Sequence, residues 1–176
     1  MSMGKLNAQF AGSRGMIKAG AGYTHDFPGL NGYTLAGEYS FPLMEHLLGS
    51  IGMKHANMQG YPRSNQAFEF TRATTLDFNL YYAPLRTETQ LFRIGLGYSF
   101  SFYNIQRAYP IIVDYSNGKS TTWPTQQSQG RTTGINLIAE YELKIPNSNF
   151  SFGVRGALYK AYQRTYFIGP MIGYEL

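Results

Sequence analysis

The sequence predicts an all-β fold: a closed, up-and-down antiparallel transmembrane β-barrel of eight strands. More apolar and less apolar residues alternate with a period of two along the chain, the pattern of strands with one apolar face. Aromatic residues make up 16% of the chain and charged residues only 14%, against about 25% charged residues in typical domains. Mean hydropathy is nevertheless −0.28, as expected when lipid-facing and lumen-facing residues alternate.

Eight segments carry the alternation, and the fifth shows it most clearly. There Phe92, Ile94, Leu96, Tyr98, Phe100 and Phe102 oppose Arg93, Gly95, Gly97, Ser99 and Ser101. The other segments begin near Ile17, Tyr33, Leu47, Thr75, Ile135, Phe150 and Tyr166. A tilted membrane strand needs about 9–11 residues, and the segments are long enough. We therefore expect a short N-terminal segment, residues 1–13, followed by one barrel domain, residues 14–176.

The predicted connections differ between the two rims. Short turns that contain proline follow the second, fourth and sixth segments, at Pro42–Glu45, Pro84–Thr87 and Pro146–Asn149. Loops of varied length follow the others, the longest from about Ile105 to Gly130. Short turns on one rim and longer polar loops on the other are typical of bacterial outer-membrane barrels. This arrangement places both chain termini on the short-turn, periplasmic side.

Two local features lie at the N-terminus and in the last segment. Met1–Lys5 lack the apolar stretch of an export signal, so we expect the native signal peptide to be absent from this sequence. Pro170 lies within the last segment, where proline removes a ladder hydrogen bond. We expect a β-bulge there.

Alternation alone does not separate a membrane barrel from a soluble eight-stranded ligand carrier, which buries its apolar face inward. An eight-stranded barrel has an interior barely wide enough for side chains. The apolar faces carry bulky Phe, Tyr, Leu and Ile, whereas the opposite faces are rich in Gly, Ser and Ala. Aromatic residues also lie near the strand ends, as membrane interfaces favour. We therefore expect the bulky face to contact lipid, and the soluble carrier remains the alternative.

The charged residues of the segments then point into the lumen, where an unpaired ion costs several kcal/mol. Treating each short-turn hairpin as an antiparallel pair places acids and bases on adjacent strands within reach of each other. The predicted pairs are Glu38 with Lys54, Asp77 with Arg93, and Glu140 with Arg155. We interpret them as structural, filling and rigidifying the lumen; an ion or proton path is the alternative.

At this point the chain resembles the small outer-membrane barrels of the OmpA/OmpX type, particularly versions found in Bacteroidetes-like bacteria. The residues that carry the resemblance are Tyr39–Leu43, Phe78–Leu85, Ile94–Tyr98 and Ile172–Leu176. The last of these looks like a barrel-assembly signal, although it ends in Leu rather than the more usual Phe. Members of this class include structural anchors, adhesins, narrow pores, lipid A enzymes and subunits of larger machines, so the resemblance implies a fold rather than one function.

Little in the sequence indicates an enzyme. The chain has no cysteine, which excludes disulfides, thiol nucleophiles and thiolate metal sites. Its three histidines, His25, His46 and His55, lack metal-ligand spacing. His55-Ala56-Asn57 invites comparison with lipid A deacylase barrels, but Asn57 occupies the position of their serine. Gly95-Leu96-Gly97 lies within a strand and is not a phosphate-binding loop.

The outer loops carry the remaining candidates. Basic residues outnumber acidic ones there, and we expect them to contact lipopolysaccharide phosphates rather than nucleic acid. They are Arg63, Arg72, Arg107, Lys119, Arg131, Lys160 and Arg164. Asn117-Gly118 predicts a hairpin turn that extends two strands beyond the membrane, and Tyr109, Tyr115 and Trp123 near it form a candidate contact site for a partner or glycan.

We therefore expect a non-enzymatic outer-membrane protein with a side-chain-filled lumen and no cofactor, acting through its extracellular loops in a structural, adhesive or accessory-subunit role. Its expected partners are outer-membrane lipid, lipopolysaccharide and other envelope proteins. A lipid A-modifying enzyme and a narrow pore are the alternatives.

Overall fold

The computed structural model describes residues 15–62, 67–115 and 118–176, without the side chains of residues 114 and 115. Regular structure in these ranges consists of β-strands. They are β1 (Met16–Asp26), β2 (Asn31–Pro42), β3 (Leu47–Gly60), β4 (Glu69–Arg86), β5 (Gln90–Ala108), β6 (Ile111–Tyr115), β7 (Gly118–Thr122), β8 (Thr125–Lys144), β9 (Phe150–Lys160) and β10 (Arg164–Glu175). The described residues contain no helix that is both long enough and apolar enough to span a membrane.

Eight of these strands close into one antiparallel barrel in the order β1-β2-β3-β4-β5-β8-β9-β10, with β10 pairing with β1. This confirms the predicted fold class. Starting from His25, the paired residues lead to Gln127 of β8 in one direction and to Leu137 of β8 in the other, a stagger of ten residues. With about 3.3 Å per residue and about 4.8 Å between strands, this stagger tilts the strands by about 40° from the barrel axis.

The predicted assignment of the two faces agrees with the structure. On β5, Leu96 is 63% exposed and Ile94 and Tyr98 are also exposed, whereas Arg93 and Ser99 are buried. The same alternation runs through the other barrel strands and produces an outward apolar belt. On β8 the belt extends from Ile135 to Leu143, about 20 Å along the axis, close to the apolar band of outer-membrane barrels.

At the two rims of the barrel, most connections are of similar length. The rims differ mainly in how far the strands extend at each end. The turns 43–46, 87–89 and 145–149 lie on one rim, which we call the turn rim. On the opposite rim, the outer rim, the connections 27–30 and 161–163 are equally short, so the longer loops predicted for that side are not general. The difference arises because β4, β5 and β8, with 18, 19 and 20 residues, are the longest barrel strands, and β8 begins at Thr125, ten residues before its pairing with β9 starts at Ile135. The hairpin of β6 and β7 caps this extension.

The bulge expected at Pro170 is absent. Pairing of β10 with β9 runs through Pro170 without a register shift, and pairing with β1 is interrupted at Gly169 and Pro170 but resumes in the same register. The missing N–H of Pro170 therefore falls on the side of β1. Glycines allow β1 and β10 to approach each other closely at this point, because a Cβ on Gly22 would lie only 2.6 Å from the Cα of Gly169.

Candidate functional site

The centre of the lumen contains a charge-neutral network of six buried ionic side chains. Three are basic and three are acidic, so their formal charges cancel. They are Lys18, Arg93, Arg155, Glu38, Glu140 and Glu142. Each comes from the inward phase of its strand, where the period-two alternation directs it to the axis.

Arg93 lies at the middle of this network and is 0% exposed. Its Nη2 donates to Glu38 Oε1 at 2.6 Å and to Glu140 Oε1 at 3.1 Å. Its guanidinium also lies 4.0 Å from the ring centroid of Tyr81, and the Tyr81 hydroxyl donates to Glu38 Oε2 at 2.8 Å. The side chain of Arg93, which belongs to β5, thus links a carboxylate of β2 to a carboxylate of β8.

Glu140 is the most heavily paired carboxylate. Arg155 Nε donates to Glu140 Oε2 at 2.5 Å, and Lys18 Nζ donates to Glu140 Oε1 at 2.6 Å. Lys18 also pairs with Glu142, and Arg155 Nη2 donates to Glu38 Oε1 at 2.9 Å. Side chains from β1, β2, β5, β8 and β9 therefore meet across the lumen.

These contacts correct two of the three predicted pairs. Glu140 does pair with Arg155, because the two residues face each other directly on β8 and β9. Glu38 pairs with Arg93 and Arg155 instead of Lys54. Asp77 pairs with Lys54 instead of Arg93. The predictions considered only strands joined by a turn, but an eight-stranded lumen is so narrow that long side chains reach strands on the far side.

Lys54 and Asp77 form a second group nearer the outer rim. Lys54 Nζ lies 4.0 Å from Asp77 Oδ2 and packs over the ring of Tyr159. Ser99 Oγ donates to Asp77 Oδ1 at 2.6 Å, and Asn136 Nδ2 donates to Ser99 Oγ at 2.9 Å. This group therefore satisfies its charges locally, within the membrane-spanning part of the barrel.

The lumen has little free space. A cavity of about 40 Å³, lined by Lys18, Arg93 and Leu91 among others, opens toward the turn rim. A second cavity of about 10 Å³, lined by Lys54, Tyr159 and other residues, lies toward the outer rim. The smaller cavity is about the size that one water molecule needs. The ionic network lies between the two, so these cavities do not form a channel.

Arg107 is not the exposed rim contact that the sequence predicted. It is buried and turned inward at the outer end of β5. Its Nη2 donates to Asp26 Oδ2 at 2.8 Å, to Thr71 Oγ1 at 2.9 Å and to Gln163 Oε1 at 2.7 Å, and Nη1 lies 3.5 Å from Glu69 Oε2. Arg107 therefore ties the extended β5 to the barrel mouth.

Four other predicted rim cations do lie exposed near the outer edge of the belt. They are Arg72, Arg131, Lys160 and Arg164. Lys160 and Arg164 are directly opposite on β9 and β10, and the Arg164 guanidinium lies 5.6 Å from the Phe27 ring centroid. By contrast, Asp26 and Glu69 at this end are fully buried. Lys119 is exposed on β7, and Arg63 lies outside the described residues.

Two of the three side chains of the contact site predicted near the hairpin are described in the structure, those of Tyr109 and Trp123. Tyr109 is exposed and its N–H donates to the carbonyl of Pro124 at 3.1 Å. Trp123 is half-buried, and Ile112 is 65% exposed. The side chain of Tyr115 lies outside the described residues.

The histidines do not assemble a catalytic group in the described part of the chain. His55 Nδ1 lies 3.0 Å from Thr74 Oγ1, His25 Nδ1 lies 2.8 Å from Asn31 Oδ1, and His46 Nδ1 lies 3.0 Å from the carbonyl of Ala83. His46 Nε2 also lies 3.9 Å from the carboxylate of Glu45 in an exposed turn. No serine is among these partners, and a nucleophilic hydrolase that uses serine requires one beside its base. No group of metal-binding side chains occurs among the described residues either.

Sequence comparison adds nothing to this geometry, because no family model and no curated protein matches the chain. Solved structures do match it. Neisserial surface protein A (NspA) superposes with a TM-score of 0.65 at 9% identity, over 92% of this chain and 97% of that one. The fold is that of a small outer-membrane β-barrel.

Two further structures support this fold assignment. The N-terminal β-barrel domain of Pseudomonas aeruginosa OprF matches with a TM-score of 0.55 at 11% identity, over 93% of this chain and 98% of that one. Ail, the attachment invasion locus protein of Yersinia pestis, matches with a TM-score of 0.51 at 10% identity, over 92% and 99% respectively. The resemblance to the OmpA/OmpX type is therefore architectural.

Proposed function

We propose that this chain is a non-enzymatic protein of the bacterial outer membrane, with both termini in the periplasm, that acts through the surface it presents outside the cell in an adhesive, structural or accessory-subunit role. The observation that carries the proposal is the contrast between its two polar regions. The lumen charges are paired with one another, whereas the exposed cations of the outer rim face away from the barrel.

The filled lumen argues against a pore. A permeant ion would have to pass Arg93, Arg155 and Glu140, in which the two arginines donate hydrogen bonds of 2.5 to 3.2 Å to the glutamate. Separating buried paired ions costs several kcal/mol. We expect flat current traces when the refolded protein is inserted into planar bilayers. Discrete conductance steps that persist after repurification would contradict a sealed barrel.

The outer rim favours an anionic ligand at the membrane surface. Like charges directly opposite on neighbouring strands repel, so Lys160 and Arg164 gain from a counter-anion between them. Arg72 and Arg131 lie exposed at the same end of the barrel. We propose lipopolysaccharide phosphates as this anion. The complex of Ail with the heparin analogue sucrose octasulfate shows a polyanion bound to a barrel of similar fold.

A charge-removal experiment tests this contact. A variant with Gln at 72, 131, 160 and 164 is compared with wild type for binding of purified lipopolysaccharide in detergent across a range of salt concentrations. We expect weaker binding and a smaller salt dependence in the variant, because fewer cations remain to meet the phosphates. The control replaces Arg86 and Lys144 of the turn rim with Gln. Equal loss in both variants would contradict an outer-rim site.

The membrane orientation is tested separately. Because the chain has no cysteine, Ser120→Cys in β7 and Ser148→Cys in the last turn supply single labelling sites. In intact cells, a membrane-impermeant maleimide should label position 120 and leave position 148 unlabelled until the outer membrane is opened. The reverse pattern would overturn the proposed orientation.

A lipid A-modifying enzyme is the second candidate, and His55 is the residue on which it would depend. We expect purified protein to leave lipid A unchanged, as judged by mass spectrometry after long incubation in mixed micelles. Modification of lipid A that disappears in His55→Ala would establish the enzyme instead.

A further inference from the structure

The outward face of the barrel changes its chemistry above the apolar belt. Along β2 to β5 and β8, the outward alternate positions continue toward the outer rim, but many of the side chains there are carboxamides instead of hydrocarbons. We call this surface the amide face. Among the described residues its carboxamides, all exposed or half-buried, are Asn31, Asn57, Gln59, Asn104, Gln106, Gln127 and Gln129.

The strand pairings bring these side chains together. Asn104 of β5 lies directly opposite Arg72 of β4 on one side and Gln129 of β8 on the other. Arg72 in turn lies opposite Asn57 of β3. Gln127 Nε2 donates to Asn104 Oδ1 at 2.9 Å, so side chains of β5 and β8 meet on this face above the barrel.

An aromatic ring lies in the middle of the amide face. Phe70 of β4 is opposite Gln59 of β3 and Gln106 of β5. Its ring is half-buried, and the ring centroid of Phe68 lies 6.4 Å away. The Arg72 guanidinium lies 5.2 Å from the Phe70 centroid. Amides and a cation therefore surround one apolar ring.

The cations of this surface lie on its membrane side. Arg131 is two residues closer to the belt than Gln129 on β8, and it is opposite Phe102 of β5. With about 3.3 Å per residue and a tilt of about 40°, two residues along a strand change the height by about 5 Å. In the described ranges, the outward positions at this end of β2 to β5 and β8 contain no Asp or Glu. Cations thus come first above the belt, and amides follow.

This chemistry matches a sugar. A carboxamide offers both donors and an acceptor, and each sugar hydroxyl donates and accepts. The negative face of an aromatic ring attracts the positively polarised C–H groups of a sugar ring. Asn57 Oδ1 is buried and has no hydrogen-bond partner among the described residues, so it needs a donor such as a hydroxyl. Acyl chains would leave all these amides unsatisfied, at a cost in free energy.

We propose that the amide face binds the core oligosaccharide of lipopolysaccharide molecules in the same membrane. The inference rests on the proposed function, in which rim cations contact lipopolysaccharide phosphates, and it adds the part of the ligand that gives specificity. A lipid with its acyl chains against the belt places its phosphates near Arg131 and the sugars that follow them near Asn104 and Gln129. The amides carry no charge, so they select sugar hydroxyls instead of further phosphates.

The test compares two purified lipids that share one lipid A: lipid A alone, and lipopolysaccharide with a complete core but no O-polysaccharide. Binding is measured in lauryldimethylamine oxide, a detergent without a sugar headgroup. The variant is Asn104→Ala, Gln129→Ala. The matched control is Gln90→Ala, Gln126→Ala, which removes two exposed glutamines outside the amide face. Unheated gel mobility confirms that each protein is folded.

Wild type and the control pair should bind the core-bearing lipid about tenfold more tightly than lipid A, as a few neutral hydrogen bonds allow. Asn104→Ala, Gln129→Ala should bind both lipids with the affinity that wild type has for lipid A, because its cations are intact. High salt should weaken the binding of lipid A by screening the phosphate contacts, while the ratio between the two lipids persists.

Other results would overturn the inference. They are equal affinity of wild type for the two lipids, a preference retained in Asn104→Ala, Gln129→Ala, and equal loss in the control pair. Delipidated core oligosaccharide that binds as tightly as the intact core-bearing lipid would show a site for soluble glycans instead. If lipid A alone fails to bind, the proposed phosphate contact is wrong, and core-bearing lipid that still binds through Asn104 and Gln129 would support the amide face by itself.

Discussion

Replacement of Arg93 with Met is the sharpest test of the lumen network. Arg93 is fully buried, and Met has similar length without the charge. Its loss leaves Glu38, Glu140 and Glu142 facing only Lys18 and Arg155. Removing one member of a buried ion pair costs about 3–5 kcal/mol, because the partner charge stays buried. We expect the free energy of unfolding to fall by about that amount.

The double variant Arg93→Met, Glu38→Gln restores charge balance. Arg155 and Lys18 then face Glu140 and Glu142, and the Tyr81 hydroxyl keeps an acceptor at position 38. We therefore expect the double variant to be more stable than the sum of the single effects predicts, by about 0.5–3 kcal/mol, the range found for coupled neighbours.

The assay is reversible urea unfolding in lipid vesicles, followed by far-ultraviolet circular dichroism and by the mobility of unheated samples in gels. Arg72→Met is the control, since Arg72 lies exposed on the outward face and should change stability by about 1 kcal/mol or less. If Arg93→Met were as stable as Arg72→Met, or if the double variant showed no coupling, the ionic network would not stabilise the barrel.

Two further predictions follow from the same geometry. Arg107→Met should lower the free energy of unfolding by about 3–5 kcal/mol, because it leaves the buried Asp26 carboxylate without its cationic partner. A urea midpoint unchanged from that of Arg72→Met would show instead that Arg107 is solvated. Leu96→Arg, near the middle of the lipid-facing belt, should cost about 2–4 kcal/mol while Leu96→Phe stays near wild type; equal stability of the two in vesicles would mean that Leu96 does not face acyl chains.

Much of the fold could be predicted because alternation survives in every barrel strand. Residues such as Leu96 and Arg93 occupy opposite phases of one segment, and the narrow lumen of eight strands decides which phase faces inward. Glu140 and Arg155 could be paired from sequence because a short turn joins their strands. Nothing local marks Glu38 as the partner of Arg93, since β2 and β5 are not neighbours in the sheet.

Some of the missed residues did carry a signal. Arg107 continues the inward phase of Arg93 and Ser99, but Tyr103 and Ile105 interrupt the polar pattern and made the segment resemble a loop. Asp26 likewise continues the phase of Lys18 and Thr24 on β1. The inward-facing alternate positions of β5 and β1 can be continued beyond the point where the polarity pattern changes. Continued in this way, they place Arg107 and Asp26 inside the barrel. The roles of Tyr81 and Tyr159 in holding Arg93 and Lys54 had no such signal, because they depend on contacts across the lumen.

In this barrel the bulky apolar face contacts lipid and the ionic face points to the axis. This orientation is tested most directly in a Trp123→Phe background, which removes the single tryptophan. Leu96→Trp then reports on the outward face, and Tyr81→Trp reports on the lumen at nearly the same height, because residue 81 pairs with Gly95. In vesicles of lipids brominated on the acyl chains, strong quenching at position 96 and weak quenching at position 81 is the expected result. Strong quenching at position 81 with little at position 96 would contradict this orientation of the two faces.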